Sequence, residues 1–306
     1  MTIASEITDL QNNLAAAKLA VTTKGGTVGN TGLAGLASEI ASIPSGGSPA
    51  NYGTITYLDG NNVEQTLTLA TEDDYLELTL STSSGFSFKF GELTITNTKI
   101  TGVTIADGVQ YIPSSFMAFC SNLTTVNLPS SIHYIGDAVF NRCNITSTIN
   151  LENVVSIGGN FLAFNANFNS PISVPKAEII GDYFMRNCTI FNSALTLPAN
   201  AYKIGSYFLY NCNAFAQSLT LPELQSIANI VNPGTYFMEN CHNFVGPLVC
   251  NCPNGTSSDT HTLSTNDSTS VMYTTGVTLT GTYASNWKTA FPDRTSSPYR
   301  NLIIGS

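Results

Sequence analysis

The sequence is poor in charge, in histidine and in long apolar runs. Only 10% of its 306 residues are charged, with 11 Lys and Arg against 20 Asp and Glu, and it has 3 His and 1 Trp. Scattered basic residues in a chain of net charge −9 form no basic stripe, which argues against a nucleic-acid-binding protein. No stretch approaches the roughly 18 apolar residues that a membrane-spanning helix needs, so we expect no membrane insertion.

Enzyme motifs are also missing from the sequence. No hydrolase, kinase, nucleotide-binding or metalloprotease motif occurs, and His133, His242 and His261 have no paired acid nearby in the sequence. A glycan hydrolase needs two carboxylates in one cleft, but the acidic residues of 101–252 recur at no fixed position. We therefore expect no catalysis, and neither a cofactor nor a metal ion.

The sequence does contain a repeat of about 23 residues. Strand hydrophobes recur at Ile105, Leu128, Leu151, Val174, Leu197 and Leu221. Isoleucines follow them at Ile112, Ile135, Ile157, Ile180, Ile204 and Ile227, and phenylalanines at Phe116, Phe140, Phe161, Phe184, Phe208 and Phe237. One unit is too small to bury its own apolar face, so successive units must stack and share a core. The spacing predicts a β-rich solenoid in which each unit adds a short strand and turns at an Ile-Gly corner, where glycine tolerates unusual backbone angles.

Cysteines form a further series at the same period, at Cys120, Cys143, Cys188, Cys212 and Cys241. The Leu-Pro, Ile-Gly, Phe and Asn-Cys positions resemble the BspA-like leucine-rich repeat over residues 101–252, which implies that each cysteine lies inside a corner of its coil. We expect Ala166 to fill the same position in the third unit, so that the position accepts a small buried side chain. We therefore predict reduced structural thiols. Disulfide-bonded or reactive thiols are the alternative, because stacked coils would bring the cysteines near bonding distance.

Residues 1–49 predict two short helices separated by a glycine-rich loop and followed by a flexible linker. Apolar residues at heptad spacing are Ile3, Ile7, Leu10, Leu14 and Val21 in the first helix and Leu33, Leu36 and Ile40 in the second. Helices this short need a partner surface, which favours an oligomerisation or docking module over a hairpin packed on its own domain. This order of segments is similar to the N-terminal module of tailed-phage tail and fibre proteins. The resemblance implies attachment to a virion and favours a trimer.

Two further regions flank the repeats. In residues 50–100, apolar and polar residues alternate as they do in β-strands, and residues 59–62 form a hairpin turn. This segment predicts a small β domain or an N-terminal cap. A calcium-binding loop at Asp59, Asn61 and Glu64 is the alternative interpretation of the turn. Residues 253–306 predict a polar loop and a C-terminal cap that resembles the closing segment of BspA-like proteins, with a short helix containing Trp287. Cys241, His242, Cys250 and Cys252 lie close together in the sequence, and a zinc site is one interpretation of this cluster. The other interpretation needs no metal, because Cys241 belongs to the cysteine series and residues two apart on a strand lie on the same side of it.

Recognition is the function that these features favour. Small polar side chains are expected to point outward from successive strands, at Thr125, Asn127, Asn150, Ser173, Thr196 and Thr220. Residues 228–235 form an insertion relative to the preceding unit and include Ile230, Val231 and Asn232, so the insertion is either a binding loop or a tolerated surface loop.

The sequence as a whole favours a phage virion structural protein, such as a tail or head fibre or a receptor-binding protein. No basic region followed by an apolar run stands at the N-terminus, so we expect no secretory signal, and the seven cysteines fit folding in a reducing cytoplasm before release in a virion. The expected partners are other virion proteins, a host-surface glycan or protein, and further copies of the chain. A bacterial cell-surface adhesin of the same repeat family is the alternative, and a surface-glycan hydrolase comes third.

Overall fold

Short strands stacked from coil to coil provide most of the regular structure. The structure is a computed structural model, and it describes residues 49–201, 203–224, 237–251, 277–290 and 302–305. The described residues from 50 onward belong to one compact unit, Ala50–Ser306. Within these ranges, no helix combines the length and the apolar character needed to cross a bilayer.

The predicted solenoid of about 23-residue repeats is confirmed. Strands and helices follow the chain in this order: β1 (Gly53–Leu58), β2 (Glu64–Leu69), α1 (Glu72–Glu77), β3 (Ser87–Phe90), β4 (Leu93–Thr96), a 3₁₀ turn (Asn97–Lys99), β5 (Ile100–Ile105), β6 (Tyr111–Ile112), β7 (Thr125–Asn127), β8 (Tyr134–Ile135), β9 (Ser156–Ile157), β10 (Ile172–Ser173), β11 (Ile179–Ile180), β12 (Leu195–Thr196), β13 (Asn200–Ala201), β14 (Lys203–Ile204), β15 (Leu219–Thr220), β16 (Glu223–Leu224), β17 (Leu248–Val249), β18 (Val277–Thr280), α2 (Ala284–Ala290) and β19 (Leu302–Ile304).

Residues 50–100 cover the first coil of the solenoid. β1 and β2 form an antiparallel hairpin, and β1 also pairs antiparallel with β5, which is the first solenoid strand. An uncovered strand edge would be free to pair with other chains, and β1 occupies that edge. Helix α1 begins in a capping box, in which Thr71 and Asp74 each accept a backbone hydrogen bond from the other.

Parallel strands line two sides of each coil. On one side β5 pairs with β7, β10 with β12, and β15 with β17, followed by β18 and β19. On the other side β6, β8, β9, β11 and β14 form one parallel sheet, and its strands end in the isoleucines of the repeat. The described isoleucines of this series are buried, as their spacing predicts.

The Ile-Gly corners need glycine for a different reason from the one expected. Gly136, Gly158, Gly181 and Gly205 do not have a positive φ. Instead, a Cβ atom added to Gly181 would lie 2.5 Å from the backbone nitrogen of Gly159, and one added to Gly205 would lie 2.4 Å from that of Asp182. Each corner therefore stacks backbone against backbone on the preceding coil, and only glycine permits this approach.

Two series of aromatic rings fill the core. The predicted one runs through Phe116, Phe140, Phe161, Phe184, Phe208 and Phe237, with ring centroids 4.9 to 6.3 Å apart between successive coils. A second series, which the sequence analysis missed, begins with aliphatic Leu123 and Ile145 and continues through Phe168, Phe191, Phe215 and Phe244. Stacked pairs of this kind add about 0.5–1.5 kcal/mol each beyond the burial of apolar area.

The segment that leads from each core phenylalanine to the next cysteine is joined to its neighbours by backbone hydrogen bonds. Phe140 N donates to Phe116 O at 3.0 Å, and Phe119 N donates to Asn141 O at 2.8 Å. Left-handed residues recur immediately before the cysteine position of each coil, at Phe119, Arg142, Phe164, Asn187, Asn211 and Asn240, with φ between 57 and 64°. Asparagine tolerates this conformation better than most residues, which accounts for the repeated Asn-Cys pair.

Candidate functional site

The outward side of the first set of strands carries mostly small polar side chains, which follow one another from coil to coil in two adjacent rows, and we call this surface the strand face. Pairing places Thr104 beside Asn127, Ser173 beside Thr196, and Thr220 beside Val249. Asn150 lies 23 residues from both Asn127 and Ser173 and is exposed as they are. Because side chains alternate between the two sides of a strand, the buried neighbours of these residues enter the core and these side chains face solvent.

All six predicted strand-face residues are exposed, but they do not form a single row. Asn127, Asn150, Ser173, Thr196 and Thr220 follow one another from coil to coil, whereas Thr125 pairs with Gly102 in the adjacent row. The sequence analysis missed the extension of both rows onto the first hairpin. Thr54 and Thr56 of β1 pair with Thr104 and Gly102 of β5, and the alternating threonines of β1 and β2 were the available signal.

Two shallow depressions lie on the strand face. The first has a volume of about 260 Å³ and contains Thr125 and Asn127 together with Glu64 of β2. Asn127 Nδ2 donates to Thr104 Oγ1 at 3.1 Å, and Thr101 Oγ1 donates to Thr56 Oγ1 at 3.1 Å, so the lining is ordered by its own hydrogen bonds. Hydroxyl and amide groups held in this way favour hydrogen-bonded recognition of a polar ligand.

The second depression has a volume of about 240 Å³ and lies between β12 and β15. Thr196 and Thr220 line it together with Gln217 and Ser218. Four of the six predicted residues thus belong to one or other depression. Glu64 is the single acidic residue in either lining, so neither depression holds the carboxylate pair that glycoside hydrolysis requires.

The cysteine series forms hydrogen bonds between coils. Cys143 Sγ donates to Met117 O at 3.0 Å, Cys188 Sγ to Leu162 O at 3.3 Å, Cys212 Sγ to Met185 O at 3.1 Å, and Cys241 Sγ to Leu209 O at 2.9 Å. All five series cysteines are buried, and Cys120, Cys143, Cys188 and Cys212 are free thiols. Burial raises the pKa of the Cys188 thiol to about 12, and burial also raises the pKa of Cys120, Cys143 and Cys212. A thiol held in its neutral form is a poor nucleophile, so these residues serve packing.

The expected role of Ala166 is wrong, because Asn165 occupies the cysteine position of the third unit. Asn165 is fully buried, and its Nδ2 donates to Phe140 O at 2.7 Å, which is the bond that the cysteines make in the other coils. Its Oδ1 accepts a hydrogen bond from Ile145 N at 3.1 Å. Ala166 is exposed. The error arose from counting Ala166 from Cys143 by the 23-residue period, although this unit is one residue shorter.

The two alternative metal sites are explained by protein contacts where the structure describes them. The carboxylate of Asp59 accepts hydrogen bonds from Asn61 N at 2.8 Å, Val63 N at 2.9 Å and Gln65 Nε2 at 3.1 Å. These bonds close the β1–β2 turn, and the backbone donors lower the pKa of Asp59. Cys250 Sγ donates to Leu248 O at 3.6 Å, and no group of three metal-ligating side chains occurs among the described residues. Cys252 lies outside them.

Several predicted site residues also lie outside the described ranges. They are the insertion residues Ile230, Val231 and Asn232, and the docking residues Ile3, Ile7, Leu10, Leu14, Val21, Leu33, Leu36 and Ile40. Their roles in binding and oligomerisation stay predictions from the sequence, as do the proposed domain boundaries.

Comparison with known families gives one match. The model of the BspA type leucine rich repeat region matches the chain in 6 copies, over residues 88–216 and 163–258. No curated protein and no solved structure gave a match to the chain.

Proposed function

The chain belongs to the BspA-type leucine-rich repeat family, and on that basis we propose that it is an adhesin-like recognition protein rather than an enzyme. The observation that carries this proposal is the strand face, where exposed polar side chains follow one another across successive coils and line two depressions. Its ligand is a glycan or protein on a host surface. A rigid stack of coils presents such groups at fixed spacing, as extended binding surfaces of repeat proteins do.

Affinity at such a face depends on several copies acting together. Its hydroxyl and amide groups are already hydrated, so each new hydrogen bond contributes only about 1 kcal/mol net. Linking several copies raises the effective concentration of the remaining sites once one has bound. The heptad spacing of residues 3–21 supports self-association, with a trimer as the proposed state.

A finer proposal places the protein in a phage virion, with the N-terminal helices docked on the particle and the repeats facing the host. It is supported by the resemblance of residues 1–47 to tail and fibre modules. A bacterial cell-surface adhesin is the second candidate, and the repeat family favours it equally, since the match covers residues 88–258 and not the N-terminal segment. Gene neighbourhood separates them: phage tail or capsid genes beside this one support the virion, and their absence removes that proposal.

Binding itself can be tested on the second depression. Thr196→Arg with Thr220→Arg fills the space between β12 and β15 with long side chains. Fluorescently labelled protein should lose most of its adsorption to host cells, whereas Thr189→Arg, at an exposed position outside both linings, should not. Unchanged adsorption of the double variant, with unchanged circular dichroism, would remove the strand face from the proposal.

Assembly is tested by removing residues 1–45. The shortened protein should be monomeric in analytical ultracentrifugation and keep its β-rich circular dichroism. If it assembles with the stoichiometry of the full chain, the helices are not the assembly module.

A further inference from the structure

A second surface carries chemistry that the strand face lacks. It lies on the segments that contain each core phenylalanine and lead to the next cysteine, and we call it the Arg–aromatic stripe. Its residues are Phe119, Arg142, Phe164, Tyr183, Arg186 and Tyr210. Arg142 is exposed, and the others are half-buried.

Each guanidinium group of the stripe lies against aromatic rings, most of them from neighbouring coils. The Cζ atom of Arg142 is 4.0 Å from the ring centroid of Phe164 and 5.7 Å from that of Phe119. The Cζ atom of Arg186 is 5.3 Å from Phe164, 5.1 Å from Tyr183 and 5.3 Å from Tyr210. Both cations thus contact the single Phe164 ring, at distances typical of cation–π interaction.

The repeat itself produces this arrangement. Phe119, Arg142 and Phe164 hold the same position in three successive coils and share the left-handed conformation, with φ of 62, 57 and 64°. Equal backbone conformation in stacked coils sends the side chains in the same direction. The rings therefore fix both arginines, and less conformational entropy remains to be lost when a ligand binds.

The charge of the two arginines is not neutralised within the described structure. The ion pair found there joins Lys203 to Asp182 at 3.7 Å, and neither Arg142 nor Arg186 has a carboxylate within salt-bridge distance in the same ranges. Arg186 Nε is buried without a hydrogen-bond partner. An aromatic ring stabilises the flat face of a guanidinium group but accepts none of the in-plane hydrogen bonds that its five N–H groups can donate.

We propose that the Arg–aromatic stripe binds an acidic polysaccharide through the carboxylates of its uronic acid residues. A carboxylate matches an in-plane pair of N–H groups of a guanidinium group, and would accept hydrogen bonds from the Nη groups of Arg142 and Arg186, whereas the buried Nε of Arg186 lies out of its reach. The C–H groups on the apolar side of a pyranose ring carry partial positive charge and fit the electron-rich face of an aromatic ring, and the half-buried rings of the stripe, Tyr210 among them, are partly open to such contact. One chain can therefore occupy the charged and the aromatic parts of the stripe together.

The charge of the whole protein favours a glycan over a nucleic acid as this ligand. Nucleic acids carry dense negative charge, about one per 1.7 Å of duplex, and the chain has a net charge of −9 that opposes their approach. A uronic acid polymer carries one charge per sugar at most. The net charge of the protein therefore opposes its approach less.

The test uses the full-length protein and polygalacturonate, with binding measured by biolayer interferometry at low salt. The matched control ligand is the same polymer with its carboxylates methyl-esterified, which keeps the sugar rings and removes the charge. Arg142→Gln with Arg186→Gln should weaken binding to polygalacturonate at least about tenfold, since hydrogen bonds between charged groups are among the strongest that a protein makes. Added salt should weaken binding by the native protein.

Lys176→Gln is the matched control variant, because it removes one positive charge from an exposed residue whose Nζ contacts Asn153. It should bind polygalacturonate as the native protein does. Arg142→Gln alone, at an exposed position, provides a variant that keeps the fold if the double variant does not, and should also weaken binding.

Four results would overturn the proposal. The first is equal binding of the esterified polymer, and the second is unchanged binding by the double arginine variant. The third is preference for a thymidine oligonucleotide over polygalacturonate, which would make the ligand a single-stranded nucleic acid. The fourth is loss of uronate binding in the Thr196→Arg, Thr220→Arg protein, which should retain it, because that loss would assign the ligand to the strand face.

Discussion

Asn165 Nδ2 donates a hydrogen bond of 2.7 Å to the carbonyl oxygen of Phe140. Cys188 Sγ makes the equivalent bond to Leu162 O, one coil further along, at 3.3 Å. An amide and a thiol therefore perform the same task, which is to satisfy a buried carbonyl of the preceding coil. The position requires a small donor rather than cysteine chemistry, and this explains how the series continues through a unit without a thiol.

We expect Asn165→Leu to destabilise the fold by about 1–3 kcal/mol, because it leaves Phe140 O and Ile145 N without partners in a buried site. Asn165→Cys should cost less, since a thiol occupies this position in the other coils. Urea unfolding followed by circular dichroism measures both free energies of unfolding. Ala166→Gln is the control and should be near neutral, because Ala166 is exposed. A larger effect at 166 than at 165 would contradict the assignment.

Gly181→Ala should destabilise the fold by about 1–3 kcal/mol, the range found when extra atoms are forced into a packed interior. The added Cβ would lie 2.5 Å from Gly159 N, and neither backbone can move without disturbing its own coil. Gly60→Ala is the matched control, since no heavy atom lies within 4 Å of its added Cβ. Equal denaturant midpoints for the two variants would show that the corners are not close-packed.

The buried thiols should be unreactive in the folded protein and free after unfolding. Iodoacetamide should leave the six described cysteines unmodified at pH 8, because they are buried and the pKa of Cys188 is about 12. In denaturant without a reducing agent, mass spectrometry should find them all alkylated. Recovery of two or fewer free thiols of the 7 cysteines would show that the series is disulfide-bonded.

The same thiols predict a loss of stability at alkaline pH. Burial raises the folded-state pKa of Cys188 from 9.0 to about 12, so the folded protein keeps a proton that the unfolded chain releases above pH 9. The stabilisation is therefore complete below pH 9 and falls as the pH rises from 9 towards 12. Urea midpoints measured across this range should decrease, and a steeper loss in native protein than in a Cys188→Ala variant identifies the contribution of this thiol.

Tyr75 should anchor the segment that covers the first coil. It is buried, its ring centroid lies 5.0 Å from that of Phe116, and its hydroxyl donates to Tyr111 O at 2.9 Å. Tyr75→Ala should cost about 3–5 kcal/mol, as for other large aromatic residues, and Tyr75→Phe about 1 kcal/mol for the lost hydrogen bond. Hydrogen exchange should show faster exchange in β5 and β6 for Tyr75→Ala. Tyr111→Phe, at a side chain that is 43% exposed, is the control.

The sequence by itself determined the repeat and the surface that it produces. A period of about 23 residues requires shared burial between coils, so the solenoid, the buried isoleucines and phenylalanines and the outward side of the strands could all be predicted. The exposure of Thr196 and Thr220 follows from alternation alone. These features depend on the spacing of apolar and polar residues along the chain, which can be counted in the sequence.

Only the tertiary structure decided which residues meet across coils. The hydrogen bonds between coils decide that Asn165 rather than Ala166 takes the buried position of the shortened third unit. The contact of Arg142 and Arg186 with one ring was also invisible in the sequence, because they occupy adjacent positions in different units and meet diagonally over Phe164. Spacing along a chain gives the order of the coils, whereas side-chain contacts depend on the twist and local conformation with which the coils stack.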